Sequence, residues 1–172
     1  MMFAAAAKNR RTARALTACT VVLCIFAAAS ATACKKKQAL IGSFDGNASI
    51  SANIWQGTTL KARVDRTYDG IHVSTKPGTV DSNLILEIEG GPFAQKCSVD
   101  MTIASEKEAT IAKQTCPVSF DGQIGDAMMD GPVTLGDDNP NEMKISAGGD
   151  APKDGGKVFF HMNFSGTRKA QK

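Results

Sequence analysis

The side chains able to do chemistry in this 172-residue chain are few and scattered. His72 and His161 are the only histidines, and neither has a second ligand at a metal-binding spacing. A site built on both would still need carboxylates or water to complete its coordination, so they read as solvent-facing strand residues and no metal ligand is assigned. Serines are plentiful, but no Gly-x-Ser-x-Gly elbow accompanies them and no triad can be chosen from single residues. No catalytic residue is assigned, and without a glycine-rich phosphate loop no cofactor is implied. Eight acids, Asp121, Asp126, Asp130, Asp137, Asp138, Glu142, Asp150 and Asp154, stand against only Lys144 and Lys153. The run Asp137 to Glu142 offers oxygen ligands but lacks the glycine and terminal glutamate of an EF-hand loop, so these acids read as ordinary turns. Trp55 and Tyr68, each alone of its type, could form a binding patch with Phe93, although aromatic residues serve strand packing as readily.

The beginning of the chain has a chemistry of its own. Lys8, Arg10, Arg11 and Arg14 form a basic head, Ala15 to Ala33 carry no charge, and Ala31-Thr32-Ala33-Cys34 follow. That order fits a secretory signal peptide cut between Ala33 and Cys34. The apolar run approaches the roughly 20 residues that span a bilayer, but alanine and threonine make it a feeble permanent span. Thr12, Ala13 and Arg14 after the arginine pair favour the general secretory route over a twin-arginine one. The segment resembles the signal of bacterial lipoproteins on Ala31, Thr32, Ala33 and Cys34, departing from it at Ala31, where a larger aliphatic residue is usual. The resemblance implies that the Cys34 thiol carries a diacylglycerol and that its amine is acylated after cleavage. It places the protein in the bacterial envelope, on the outer membrane by preference. The other reading of the same residues is a plain small-x-small cleavage site with Cys34 merely next in line. Lys35, Lys36 and Lys37 would lie beside the anchor, where they either attract anionic headgroups or serve as a spacer.

Removing the leader takes four of the 20 basic residues and none of the 17 acids, leaving one net negative charge. The basic balance of the whole chain therefore belongs to the leader, and nothing points to nucleic acid as a partner. Residues 34–172 suffice for one domain with a continuous core. Of five cysteines, Cys19 and Cys24 leave with the leader and Cys34 is the lipid site, which isolates Cys97 and Cys116. In an oxidising compartment these two are expected to form a disulfide. Ser98 to Ala104 and Ala109 to Thr115 read as strands joined by Ser105 to Glu108, and that four-residue loop sets Cys97 opposite Cys116.

The elements that would position these residues are strands. Ile50, Ala52 and Ile54 alternate with Ser49, Ser51 and Asn53, and Leu60, Ala62 and Val64 repeat the pattern. Asp69-Gly70 predicts a hairpin turn before Ile71 to Thr75. Leu84, Leu86 and Ile88 alternate up to Gly90-Gly91-Pro92, then Val99, Met101 and Ile103 do so. Short runs at Val118 to Phe120, Val133 to Leu135 and Met143 to Ala147 follow, and Val158, Phe160, Met162 and Phe164 share one side of the last strand. Nine or ten short strands of this kind predict an all-β fold, an antiparallel sandwich or barrel after an N-terminal signal helix. The expected divisions are a signal peptide over 1–33, a basic tether over 34–40, a β domain over 41–168 and a basic tail over 169–172. The function expected is a non-catalytic, membrane-tethered one, either structural or binding another envelope protein. The alternatives are a carrier holding a small apolar ligand in a barrel cavity, and an enzyme whose site is assembled from dispersed residues.

Overall fold

A computed structural model describes residues 39–170 apart from 121, 122 and 154. The leader, its cleavage site at Ala33 and Cys34, and Lys35 to Lys37 lie outside the described residues. Eight antiparallel strands follow one another around a closed barrel: β1 (Gly42–Gln56), β2 (Thr59–Pro77), β3 (Asn83–Gly90), β4 (Phe93–Ile103), β5 (Glu108–Phe120), β6 (Gln123–Leu135), β7 (Glu142–Lys153) and β8 (Gly156–Arg168). The barrel, rather than the sandwich, is thus the form that the alternating pattern takes. The strands are fewer and longer than expected. Val118 to Phe120 continues β5 beyond Cys116, and β6 begins ten residues ahead of Val133.

One expected turn is absent. Asp69-Gly70 lies inside β2, where the two residues face the single Asn47 between the pairs Gly46↔Ile71 and Ala48↔Tyr68. Gly70, at φ 68°, supplies the left-handed residue of a β-bulge, so the same local chemistry bends one strand instead of joining two. The hairpin turn is at Gly57-Thr58, closed by Gln56↔Thr59.

Alternation puts the apolar set indoors. Phe44, Ile71, Leu86, Met101, Met129 and Met162 are wholly buried, and so is Leu40 of the short Ala39-Leu40 turn that plugs one end. The folded domain therefore begins ahead of residue 41. The Thr75 hydroxyl donates to the Leu40 carbonyl and accepts from the Gly42 N–H at 2.9 Å. The Arg168 guanidinium donates to the carbonyls of Ile41 and Ala39 and stacks 4.7 Å over the Phe44 ring. Lys169, expected in a solvated tail, donates from its N–H to the Ser43 carbonyl. Its ammonium stands 2.7 Å from Asp45 Oδ2, while His72 Nδ1 is 2.7 Å from Asp45 Oδ1.

The shortest regular ladder joins β4 to β5. Regular pairing covers only Met101↔Ile111, Thr102↔Thr110 and Ile103↔Ala109, one residue out of the register that sets Cys97 against Cys116. A register shift in β5 between Ile111 and Gln114 takes up the extra residue. Above it the expected Cys97–Cys116 disulfide is formed, with Cα atoms 5.2 Å apart. In the gap the Gln114 carboxamide accepts from the Asp100 N–H and donates to the Asp100 carbonyl, both at 3.0 Å, doing what a paired peptide group would do.

Replacing both cysteines by alanine is expected to lower stability by about 3 kcal/mol, and Gln114→Ala by about 1 kcal/mol, each read from the urea midpoint. The hydrogen bond from Lys169, then that from His72, holds the Asp45 carboxyl below its ordinary range. A depressed folded-state value contributes stability above the unfolded value of 3.8, which is lost as pH falls through the folded value. Because the site is solvent-screened, Asp45→Asn should cost no more than about 1 kcal/mol near neutral pH. That difference should shrink as pH falls below 3.8 in the same urea experiment.

Candidate binding face

With the interior given to packing, polar side chains fall on the outer wall, which divides into sectors of different chemistry. Across β2, β3 and β4 the wall is ionic. Glu87 receives Lys76 and Lys96, and Lys96 is 2.7 Å from Glu89. The Lys76 hydrogen bond holds the Glu87 carboxyl below the usual range, and Glu89, then Glu87, raises the Lys96 ammonium. These charges are answered within the wall.

Around the β1–β8 seam the outward side chains are mostly uncharged. Ser49 lies opposite Asn163, and Asn163 opposite Ser146 on β7. The Ser146 hydroxyl donates to Asn163 Oδ1 at 3.0 Å and sits 3.3 Å from His161 Nε2. A groove of about 540 Å³ crosses the waist over Ser49, Thr67, Thr134, Ser146, Asn163 and Ser165. A second, of about 330 Å³, shares Ser49, Thr67 and Asn163 and extends to Ser51, Asp65 and His161. Ser51 donates to Asp65, and that bond, with the neighbouring Arg63, keeps the Asp65 carboxyl low. Farther along the seam, a third hollow of about 510 Å³ is bounded by Trp55, Lys157, Phe159 and the glycines of the two hairpin tips.

The expected aromatic patch is not assembled as such. Phe93 is buried in the core and Tyr68 packs against it, whereas Trp55 shares its hollow with Phe159, 46% exposed. The alternation that puts Val158, Phe160, Met162 and Phe164 on one side of β8 leaves Phe159 on the other, and it lies outdoors there, opposite Asn53. What no local pattern shows is that Trp55 lies beside it.

The two histidines do not meet. His72 pairs with Asp45 and His161 with Ser51, six residues along β1, roughly 20 Å at the rise of a strand. Nor do the acids form one cluster of turns. Asp126 and Asp130 lie in β6, Glu142 and Asp150 in β7, and Asp137 and Asp138 in the intervening loop, where Lys107 Nζ stands 3.3 Å from Asp137 Oδ1. Asp121 and Asp154 lie outside the described residues. Among the described residues no three His, Cys, Asp or Glu side chains converge on a point that could hold a metal.

Ser146 with His161 is the nearest approach to a nucleophile and base. Its hydroxyl is committed to Asn163, and the far ring nitrogen of His161 lies beside Gly148, where a triad would need a carboxylate. The arrangement suits hydrogen bonding to a ligand better than proton transfer.

No protein-family model matches this chain, and no curated protein matches it. Among solved structures it is similar to Ail, the attachment invasion locus protein of Yersinia pestis, with 14% identity over 75% of this chain and 99% of that chain, at a TM-score of 0.42.

Proposed function

We propose that this is an exported envelope protein whose barrel stands in water beside a membrane, held by lipid on Cys34, and that it serves as a non-catalytic binding module. The observation that carries this reading is the polarity of the barrel. A barrel that spans a membrane turns an apolar band outward and keeps its lumen polar. Here Leu84, Leu86 and Ile88 point in, while Glu87 and Glu89 share the outer face with Lys96. Among the described residues no helix is long and apolar enough to cross a membrane. In this reading attachment falls to the residues ahead of the barrel, where the lipoprotein-like block ending at Cys34 would supply the group.

The way the chain enters the barrel supports the same reading. Ala39 to Ile41 are clamped to the plugged end by Arg168 and Thr75. Four residues separate Cys34 from Ala39, and the five steps between them reach roughly 17 Å when extended. A lipid on Cys34 keeps the plugged end close to the membrane and the Gly57, Gly91 and Gly155 turns at the far rim. The carrier alternative meets a packed interior over the plugged half, where Phe44, Ile71, Met101, Met143 and Met162 expose no surface to a water-sized space. Against an enzyme stands the committed Ser146 hydroxyl.

The full precursor expressed in a bacterial host is expected to mature with an acyl mass on Cys34 and to partition into detergent. Cys34→Ala should yield a folded barrel without acyl mass that stays in the aqueous phase. Intact mass and phase partition read both, and density-gradient fractionation assigns the membrane. A wild-type protein that is cleaved but carries no acyl group overturns the proposal and makes the barrel a freely exported one.

A further inference from the structure

We infer that the outer face of the β1–β8 seam binds an uncharged glycan chain. This names the ligand class for the binding role proposed above, and the face is built whether or not Cys34 is acylated. Three hollows succeed one another along the same outward-facing positions. The waist groove and its neighbour share Ser49, Thr67 and Asn163, and the aromatic hollow begins two positions beyond Asn53 on the same side of β1. From Asn47 to Trp55 the track covers nine residues of one strand, eight steps or roughly 26 Å, room for several sugar rings in a row.

The chemistry of the track changes along its length in the way a sugar chain requires. Hydroxyls and carboxamides, each both donor and acceptor, match the mixed donor and acceptor character of sugar hydroxyls. Ser146, His161 and Asn163 already hold one another, so their orientation is fixed before a ligand arrives. At the tip, the half-buried Trp55 and the 46% exposed Phe159 offer flat apolar faces for the C–H side of a pyranose ring, a surface apolar on one side and wet at its edges. The charges bordering the track, Asp65 among them, are answered by Ser51 and Arg63. Each hollow also holds one cationic residue, Lys144 at the waist, Arg66 beside Asp65 and Lys157 at the tip, and Lys144 stands 3.5 Å from Glu142 Oε1. One cation to a hollow, set among hydroxyls, carboxamides and rings, suits a neutral chain better than a polyanion, which gains most from a run of unpaired cations.

Trp55 is the only tryptophan, so its fluorescence reports on this face alone. The full chain, purified in detergent micelles, would be titrated with neutral cello-, malto- and N-acetylglucosamine oligomers, and in parallel with heparin and with phosphatidylglycerol vesicles. The expected result is a saturable change in Trp55 emission with at least one neutral oligomer. It should weaken about tenfold in Phe159→Ala and in Asn163→Ala, the scale of one lost stacking or hydrogen-bonding partner. Lys96→Ala, on the ionic sector, should leave it unchanged. Circular dichroism confirms that each variant is folded. A saturable response confined to heparin or to anionic vesicles, no response to any neutral oligomer, or binding that survives both Phe159→Ala and Asn163→Ala in folded protein overturns the inference. Intact mass on the same preparation separates the two readings. Unacylated protein that binds the oligomer leaves this inference standing while the tether falls, and acylated protein that binds none does the reverse.

Discussion

The ladder between the first and last strands is the constraint on which everything else rests. β1 and β8 pair from Phe44↔Arg168 to Gln56↔Gly156 without a slip. Because side chains alternate at every residue, a shift of one position would carry Ile50, Ala52, Met162 and Phe164 to the solvent side together. Closure also demands near contact of two backbones at Gly46↔Gly166. A Cβ on Gly46 would come 2.1 Å from the Ser165 carbonyl oxygen, and one on Gly166 would come 2.3 Å from the Phe164 ring. Only glycine fits on either side, so the two residues define where the wall may shut and how Phe164 lies beneath it.

Closing the sheet leaves it under-paired elsewhere, and the β4–β5 seam absorbs the mismatch. Three regular pairs hold its lower part, and above them the ladder is replaced by a covalent bridge and by one side-chain amide acting as a peptide. The disulfide is therefore more than a restraint on the unfolded chain. It spans a stretch where β4 and β5 are not regularly paired with each other, with the Ser119 N–H donating to the Pro92 carbonyl beyond it. Gln114 is a polar residue with a structural task, and nothing in its sequence neighbourhood distinguishes it from a solvated surface residue.

Much of the barrel was legible because burial here follows a period of two. Leu84, Leu86 and Ile88, then Val99 and Met101, then Met162 and Phe164 point inward as their spacing says. The cysteine pair was legible for a different reason, since a narrow choice of partners and a nearby turn left one geometry. Legibility ended where tertiary context outvotes local chemistry. Asp69-Gly70 is good turn chemistry, yet β2 runs straight through it because β1 continues opposite on both sides of the bulge. Choosing barrel over sandwich needed the pairing of the two terminal strands, a contact across more than 100 residues that no local pattern encodes. The binding face was hidden for the same cause. Its serines and asparagines are unremarkable one by one, and become a track only when β1, β7 and β8 lie side by side.

An eight-stranded barrel can hold a small ligand or fill itself with side chains, and this one does the second over its plugged half. On the outer wall the two sectors differ in what they would lose by being covered. Removing Lys76, Glu87, Lys96 and Glu89 from water strips charges whose partners are already in place, a desolvation that a ligand cannot repay by pairing with them again. Hydroxyls and carboxamides cost far less to cover and can form new hydrogen bonds to whatever displaces their water. The same alternation that hides the apolar residues thus leaves one ionic flank paired within itself and one flank richer in hydroxyls and carboxamides, able to exchange water for a ligand. The aromatic tip at the end of the second flank adds the apolar contact that hydroxyls alone cannot supply.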